Sequence, residues 1–114
     1  MTPAPYPSLR VRYVASGVAG EANAIVDTGF DGYLAIPESL IGSLPEPTYR
    51  RRYRTASGES VVVAAFRGTV ELVDLPGPIP ARIIALGEDF LIGIQTLNHF
   101  RVTFDHGQRV IIEP

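Results

Sequence analysis

Eleven glycines and ten prolines are spread over 114 residues, and they cut the chain into stretches too short for long helices. Between these breaks, apolar and polar residues alternate. Leu9-Arg10-Val11-Arg12-Tyr13-Val14 shows the period of two expected of a half-buried strand. Gly17 and Gly20 bracket a turn, Ala22 to Val26 reads as a second strand, and Tyr33 to Ile36 as a third. Pro37-Glu38-Ser39-Leu40 opens a helical turn, with proline near its start. Tyr49 to Thr55 and Glu59 to Phe66 flank Ala56-Ser57-Gly58 as a hairpin, and Thr69 to Leu75 alternates again. Leu75-Pro76-Gly77-Pro78 breaks the chain, after which Arg82 to Leu86 and Phe90-Leu91-Ile92 are apolar. Ile94 to His99 is the best short-helix candidate, and Arg101 to Asp105 and Arg109 to Glu113 form a last hairpin around His106-Gly107. The fold class is therefore all-β, a barrel or sandwich with one or two short helices. Residues 1–7 carry three prolines and read as a flexible arm; residues 8–114 read as a single domain.

Composition excludes several functions. A chain of this length buries roughly two-thirds of its unfolded surface, so a real core is available. The net charge of −2 places a mainly electrostatic nucleic-acid or membrane binder at a disadvantage. Cysteine is absent, which removes disulfides, thiolate metal sites and cysteine nucleophiles together. His99 and His106 lack a carboxylate at metal-ligand spacing, so neither a metal nor another cofactor is expected. The longest aliphatic-aromatic run, Val61 to Phe66, is far too short to cross a bilayer. Met1 to Arg10 has no apolar segment of the secretory kind, and the expected location is cytoplasmic.

The chemistry concentrates in Ala24-Ile25-Val26-Asp27-Thr28-Gly29. An apolar strand delivers an acid, a hydroxyl and a glycine in sequence. Taken alone, this triplet also fits an Asx turn at the end of a strand. A second apolar pair with a glycine, Leu91-Ile92-Gly93, lies near the C-terminus, followed by a short helix and a final hairpin. With these two motifs in this order, the sequence resembles the retroviral-type, retropepsin-like aspartic proteases, and more closely their bacterial single-domain relatives (clan AA). Phe30-Asp31-Gly32-Tyr33-Leu34 with Pro37 is similar to the segment that follows the catalytic triplet there, and Leu91-Ile92-Gly93 with Leu97 is similar to the second motif. The likeness spans about Leu9 to Ile112.

The resemblance implies a closed β-barrel of the acid-protease fold and an aspartic endopeptidase, with Asp27, Thr28 and Gly29 as catalytic residues. Such an enzyme needs two carboxylates sharing one proton, so that one acts as acid and the other as base toward a water. Thr28 would brace the loop by hydrogen bonding, and Gly29 would let the backbone approach the substrate. The chain holds one such triplet, so the second Asp27 must come from a second copy, and a symmetric homodimer follows. Substrate contacts are expected from Phe30, Asp31, Ala56, Ser57, Gly58 and Ile92, and the substrate is a peptide or protein.

The sequence also departs from the retroviral pattern. Phe30 stands where those enzymes have a small residue, implying a narrower or more apolar pocket. Ile94 stands where they have an arginine that pairs with the acid at the position of Asp31. Asp31 then either binds substrate backbone or faces water. The matching flap hairpin carries only Gly58. These departures keep a second reading open, a catalytically silent module of the same fold for dimerisation or peptide binding. Tyr49-Arg50-Arg51-Arg52-Tyr53-Arg54 interleaves basic and aromatic residues. It reads as a solvated edge strand, as a preference for acidic substrates or partners, or, least favoured, as a nucleic-acid surface. On a strand, Tyr49, Arg51 and Tyr53 share one face. No serine has a histidine-acid companion at recognisable spacing, which argues against a serine hydrolase.

Overall fold

The computed structural model describes residues 7–54, 57–106 and 109–114, and of Tyr53 the backbone alone. Strand β1 (Ser8–Ala15) follows the alternation of its sequence, with Val11 and Ala15 buried and Arg10 and Arg12 exposed. It turns into β2 (Val18–Val26) through Ser16 and Gly17, at φ 47° and 85°. Two consecutive left-handed residues make the tight hairpin turn whose twist matches that of its strands. Gly20, expected to close the turn, is the third residue of β2. It is opposite Tyr13, and a Cβ at Gly20 would overlap the tyrosine ring, so the missing side chain is where the aromatic lies.

After β3 (Leu34–Ile36), a 3₁₀ helix (Glu38–Ser43) begins at Pro37, as the proline position implies. Strands β4 (Tyr49–Arg54) and β5 (Ser60–Leu72) form the expected middle hairpin; Thr55 and Ala56 at its tip lie outside the described residues. Strand β5 runs unbroken through Arg67-Gly68, where the sequence pattern divides it in two. Gly68 pairs with Ala15, and a Cβ there would overlap the Val14 carbonyl oxygen. The glycine therefore marks a close approach of two strands and not a chain break.

Strand β6 (Leu75–Ala85) likewise begins where the prolines read as a break. Prolines 76, 78 and 80 recur at alternate positions, so their missing donors fall along one edge of the strand. On β6 a second neighbour, β3, pairs only over Ile83 to Ala85. Strand β7 (Leu91–Ile92), helix α1 (Ile94–Leu97) and the hairpin β8 (Arg101–Asp105) to β9 (Arg109–Glu113) complete the chain.

The strands run in the order β1-β2-β7-β3-β6-β5, and β5 pairs back onto β1, closing a six-stranded barrel with β4 as an outer strand on β5. Closure removes most of the open edges that isolated strands would present. Phe66, Leu34, Ile36, Ile83 and Ile92 are fully buried and fill the interior. Val102, Val110 and Ile112 of the terminal hairpin pack against the same core. The expected all-β barrel with two short helices is thus the observed architecture. The proposed arm falls almost wholly on residues outside the described ones. Of it, Pro7 accepts a hydrogen bond from the Val26 N–H at 2.9 Å.

Candidate active site

Strand β2 turns Ala22, Ala24 and Val26 into the barrel and presents Asp27 at its end. Strand β7 lies parallel beside it, with Ile25 opposite Leu91 and Val26 opposite Ile92. The Asp27 N–H donates to the Ile92 carbonyl at 3.0 Å, and the Ile25 N–H to that of Phe90 at 2.8 Å. The two sequence motifs are therefore neighbours, joined by backbone hydrogen bonds at the base of the Asp27 loop.

The loop closes on itself. The Gly29 N–H donates to Asp27 Oδ1 at 3.0 Å, and the Phe30 N–H to the Asp27 carbonyl at 3.1 Å. A carboxylate accepting a backbone N–H two residues on is the Asx turn that Asp favours, and here it fixes the carboxylate direction. Asp27 is half-buried, while Thr28 and Gly29 are exposed. Among the described residues Thr28 makes no side-chain hydrogen bond, so the bracing expected of it is supplied within this chain by Asp27 and Gly29.

Phe30 is buried beneath the loop, where two glycines make room for it. A Cβ at Gly32 would lie 2.5 Å from the ring. One at Gly93 would lie 2.6 Å from Phe30 Cδ2 and overlap the Gly32 carbonyl oxygen. The first amides of α1 are spent on this loop. Ile94 donates to the Phe30 carbonyl and Gln95 to the Gly32 carbonyl, both at 3.0 Å. Thr96 is fully buried, and its hydroxyl donates to the Tyr33 carbonyl at 2.9 Å. Asp31 has a partner that the sequence did not reveal: Gln95 Nε2 donates to its Oδ1 at 3.4 Å. With Ile94 in the arginine position, the contact comes from the next residue of the helix.

Beside the loop opens a cleft of about 690 Å³, whose walls include Phe30, Asp31, Tyr49, Arg67, Arg82 and Gln95. No family model matches the sequence, and no curated protein matches it. Among solved structures, the solution structure of Simian Foamy Virus (mac) protease superposes with a TM-score of 0.54 at 15% sequence identity. The match covers 80% of this chain and 91% of that one. The fold is retropepsin-like. At this identity the likeness speaks for the fold alone.

Within that retropepsin-like fold, the residues singled out from the sequence separate into groups. Asp27, Thr28, Gly29, Phe30 and Asp31 occupy one continuous loop. Ile92, expected among the substrate contacts, has its side chain fully buried in the core, and its carbonyl accepts from the Asp27 loop. The β7 pleat turns that side chain inward between β2 and β3. Phe30 supports the loop from below and reaches the cleft wall with little of its surface. Ser57 and Gly58, the latter at φ 89°, sit in the β4–β5 connection and do not line the cleft; Ala56 lies outside the described residues. Gln95, Arg67 and Arg82 line it without having been singled out. The one local hint is that Gln95 is polar between Ile94 and Leu97, whereas the two arginines are placed by strand register. Among the described residues, no helix is long and apolar enough to cross a membrane, and no cluster of three or more acidic or histidine side chains is arranged to hold a metal.

Proposed function

We propose that this protein is an aspartic endopeptidase of the retropepsin-like kind, similar to the bacterial single-domain relatives, and active as a homodimer in which each subunit contributes Asp27. The observation that carries the reading is the Asp27 loop itself. A half-exposed carboxylate, oriented by the Gly29 N–H, stands at the end of a barrel strand and is tied to the second motif through the Ile92 carbonyl. This local geometry sits in a retropepsin-like barrel.

In the proposed dimer the two Asp27 carboxylates lie across a two-fold axis. At hydrogen-bond distance they cannot both ionise, so they share a proton. The ionised member takes a proton from a water, whose oxygen attacks the peptide carbonyl carbon. The protonated member gives its proton to the carbonyl oxygen, forming a tetrahedral diol. Collapse breaks the C–N bond, a proton passes to the leaving nitrogen, and the dyad returns to its singly protonated state. No metal or cofactor takes part. Gly29, whose N–H holds the Asp27 carboxylate, keeps the loop narrow, and Asp31, which accepts from Gln95, stands ready to meet substrate backbone.

The test is cleavage of a peptide library by the wild-type chain and by Asp27→Asn. The expected result is cleavage by the wild type and none by the variant, with an unchanged circular dichroism spectrum. A variant that cleaves at the wild-type rate overturns the assignment. A folded wild-type protein that cleaves nothing yet binds peptides is the silent module of the same fold.

A further inference from the structure

Arg67 of β5 and Arg82 of β6 are directly opposed across an antiparallel pair, so their side chains leave the same face of the sheet. Like charges in that arrangement repel, and an acidic neighbour would be the usual remedy. Among the described residues neither guanidinium has an ion-pair partner, whereas Arg10, Arg12 and Arg109 each have an acidic one. The same face carries a third cation. Tyr49 pairs with Ala65 and Arg51 with Val63, both positions in the row of Arg67, and Arg51 also lines the cleft. Arg82 stacks its guanidinium 5.5 Å from the centre of the Tyr49 ring, which holds the charge in place. The Tyr49 hydroxyl is buried without a hydrogen-bond partner among the described residues. Three cations and one acid, Asp31, therefore share the walls of the cleft beside the Asp27 loop. Asp31 accepts from the neutral Gln95 amide and forms no ion pair with any of the three.

We propose that this cleft receives an acidic side chain, aspartate or glutamate, of a bound peptide, with its carboxylate between Arg67 and Arg82 and Arg51 adding to the field. The assignment of a peptide as the occupant rests on the proposed endopeptidase reading. The two arginines offer planar forks that fit a carboxylate, and the acid would relieve their mutual repulsion. In a chain of net negative charge such a local reversal favours an acidic group at this cleft.

The test measures binding separately from cleavage. Fluorescein-labelled decapeptide pools, matched except for glutamate or glutamine at one varied position, are titrated by anisotropy against the full chain carrying Asp27→Asn. The glutamate pool is expected to bind about fivefold tighter, the scale of a solvent-accessible charge pair, and to lose that margin at high salt. Arg67→Gln and Arg82→Gln should each abolish most of the preference, and Arg51→Gln part of it. Arg52→Gln, which removes the same charge from the opposite face of β4, should retain it. Thermal melting supplies a readout that a purely structural role would not give: removing one of two opposed cations should leave the midpoint equal or raise it. Equal binding of the two pools, or an equal loss in Arg52→Gln, overturns the proposal. So does tighter binding of a thymidine oligonucleotide of matched charge, which would make the face a nucleic-acid surface. Loss of cleavage in the wild type with the glutamate preference intact would overturn the enzyme reading and leave the acidic site standing.

Discussion

Gly93 and Phe30 touch so closely that neither position tolerates a larger neighbour. A Cβ on Gly93 would lie 2.6 Å from Phe30 Cδ2 and 2.8 Å from the Phe30 carbonyl oxygen. This contact brings the start of α1 against the loop that carries Asp27. Gly93→Ala is therefore expected to push the helix and the loop apart, costing about 1–3 kcal/mol, the usual range for overpacking. Chemical denaturation gives the stability change. Any peptidase activity should fall by more than the unfolded fraction accounts for, because the Asp27 loop shifts with it.

Gly68→Ala should be more damaging. The added methyl would collide with the Val14 carbonyl oxygen, which is backbone and cannot rotate away. The β1–β5 pairing that closes the barrel must then open locally, leaving buried backbone groups unpaired. A loss of about 3 kcal/mol or more is expected. A thermal midpoint within a degree or two of wild type would show that the strands are less closely tied than this.

Glu21 accepts charged hydrogen bonds from Arg12 at 2.9 Å and Arg10 at 3.0 Å, and these contacts, Arg12 first, hold its carboxyl below the usual range. A depressed folded-state value stabilises the fold above the unfolded carboxylate range. That contribution is lost as pH falls through the folded value. Glu21→Gln should therefore lie slightly below wild type in stability at neutral pH and converge with it in acid. The gap is small because the pair is exposed. Urea midpoints measured across the acid limb check the convergence.

Activity should depend on protein concentration, because one chain supplies one Asp27. Strand β9 pairs with β8 within the chain, and Val110 and Ile112 pack on the core. A chain ending at residue 108 would lose that strand and uncover this apolar surface. Specific activity should fall on dilution of the intact chain and be absent from the shortened one, in step with dimer content by sedimentation. A fully active monomer would refute the shared site, and a shortened chain that stays dimeric and active would show that β9 is not needed to cover the core.

Much of this protein was determined locally. The alternation in β1, the turn at Gly17, the helical start after Pro37 and the terminal hairpin follow from neighbours in sequence, because period and turn chemistry act over a few residues. The same holds for Asp27-Thr28-Gly29 at the end of an apolar strand, whose Asx turn closes within four residues. What the tertiary structure alone decided depends on register between distant strands. Gly68 reads as a break until Val14 lies against it, and the proline-rich start of β6 reads as a turn until β5 pairs with it. Ile92 is apolar in either setting, and only the packing of β7 between β2 and β3 turns it inward. Asp31 finds Gln95 only because Gly93 lets α1 reach the loop. The opposition of Arg67 and Arg82 has no local trace at all, because a one-residue slip of β5 against β6 would send the pair to different faces.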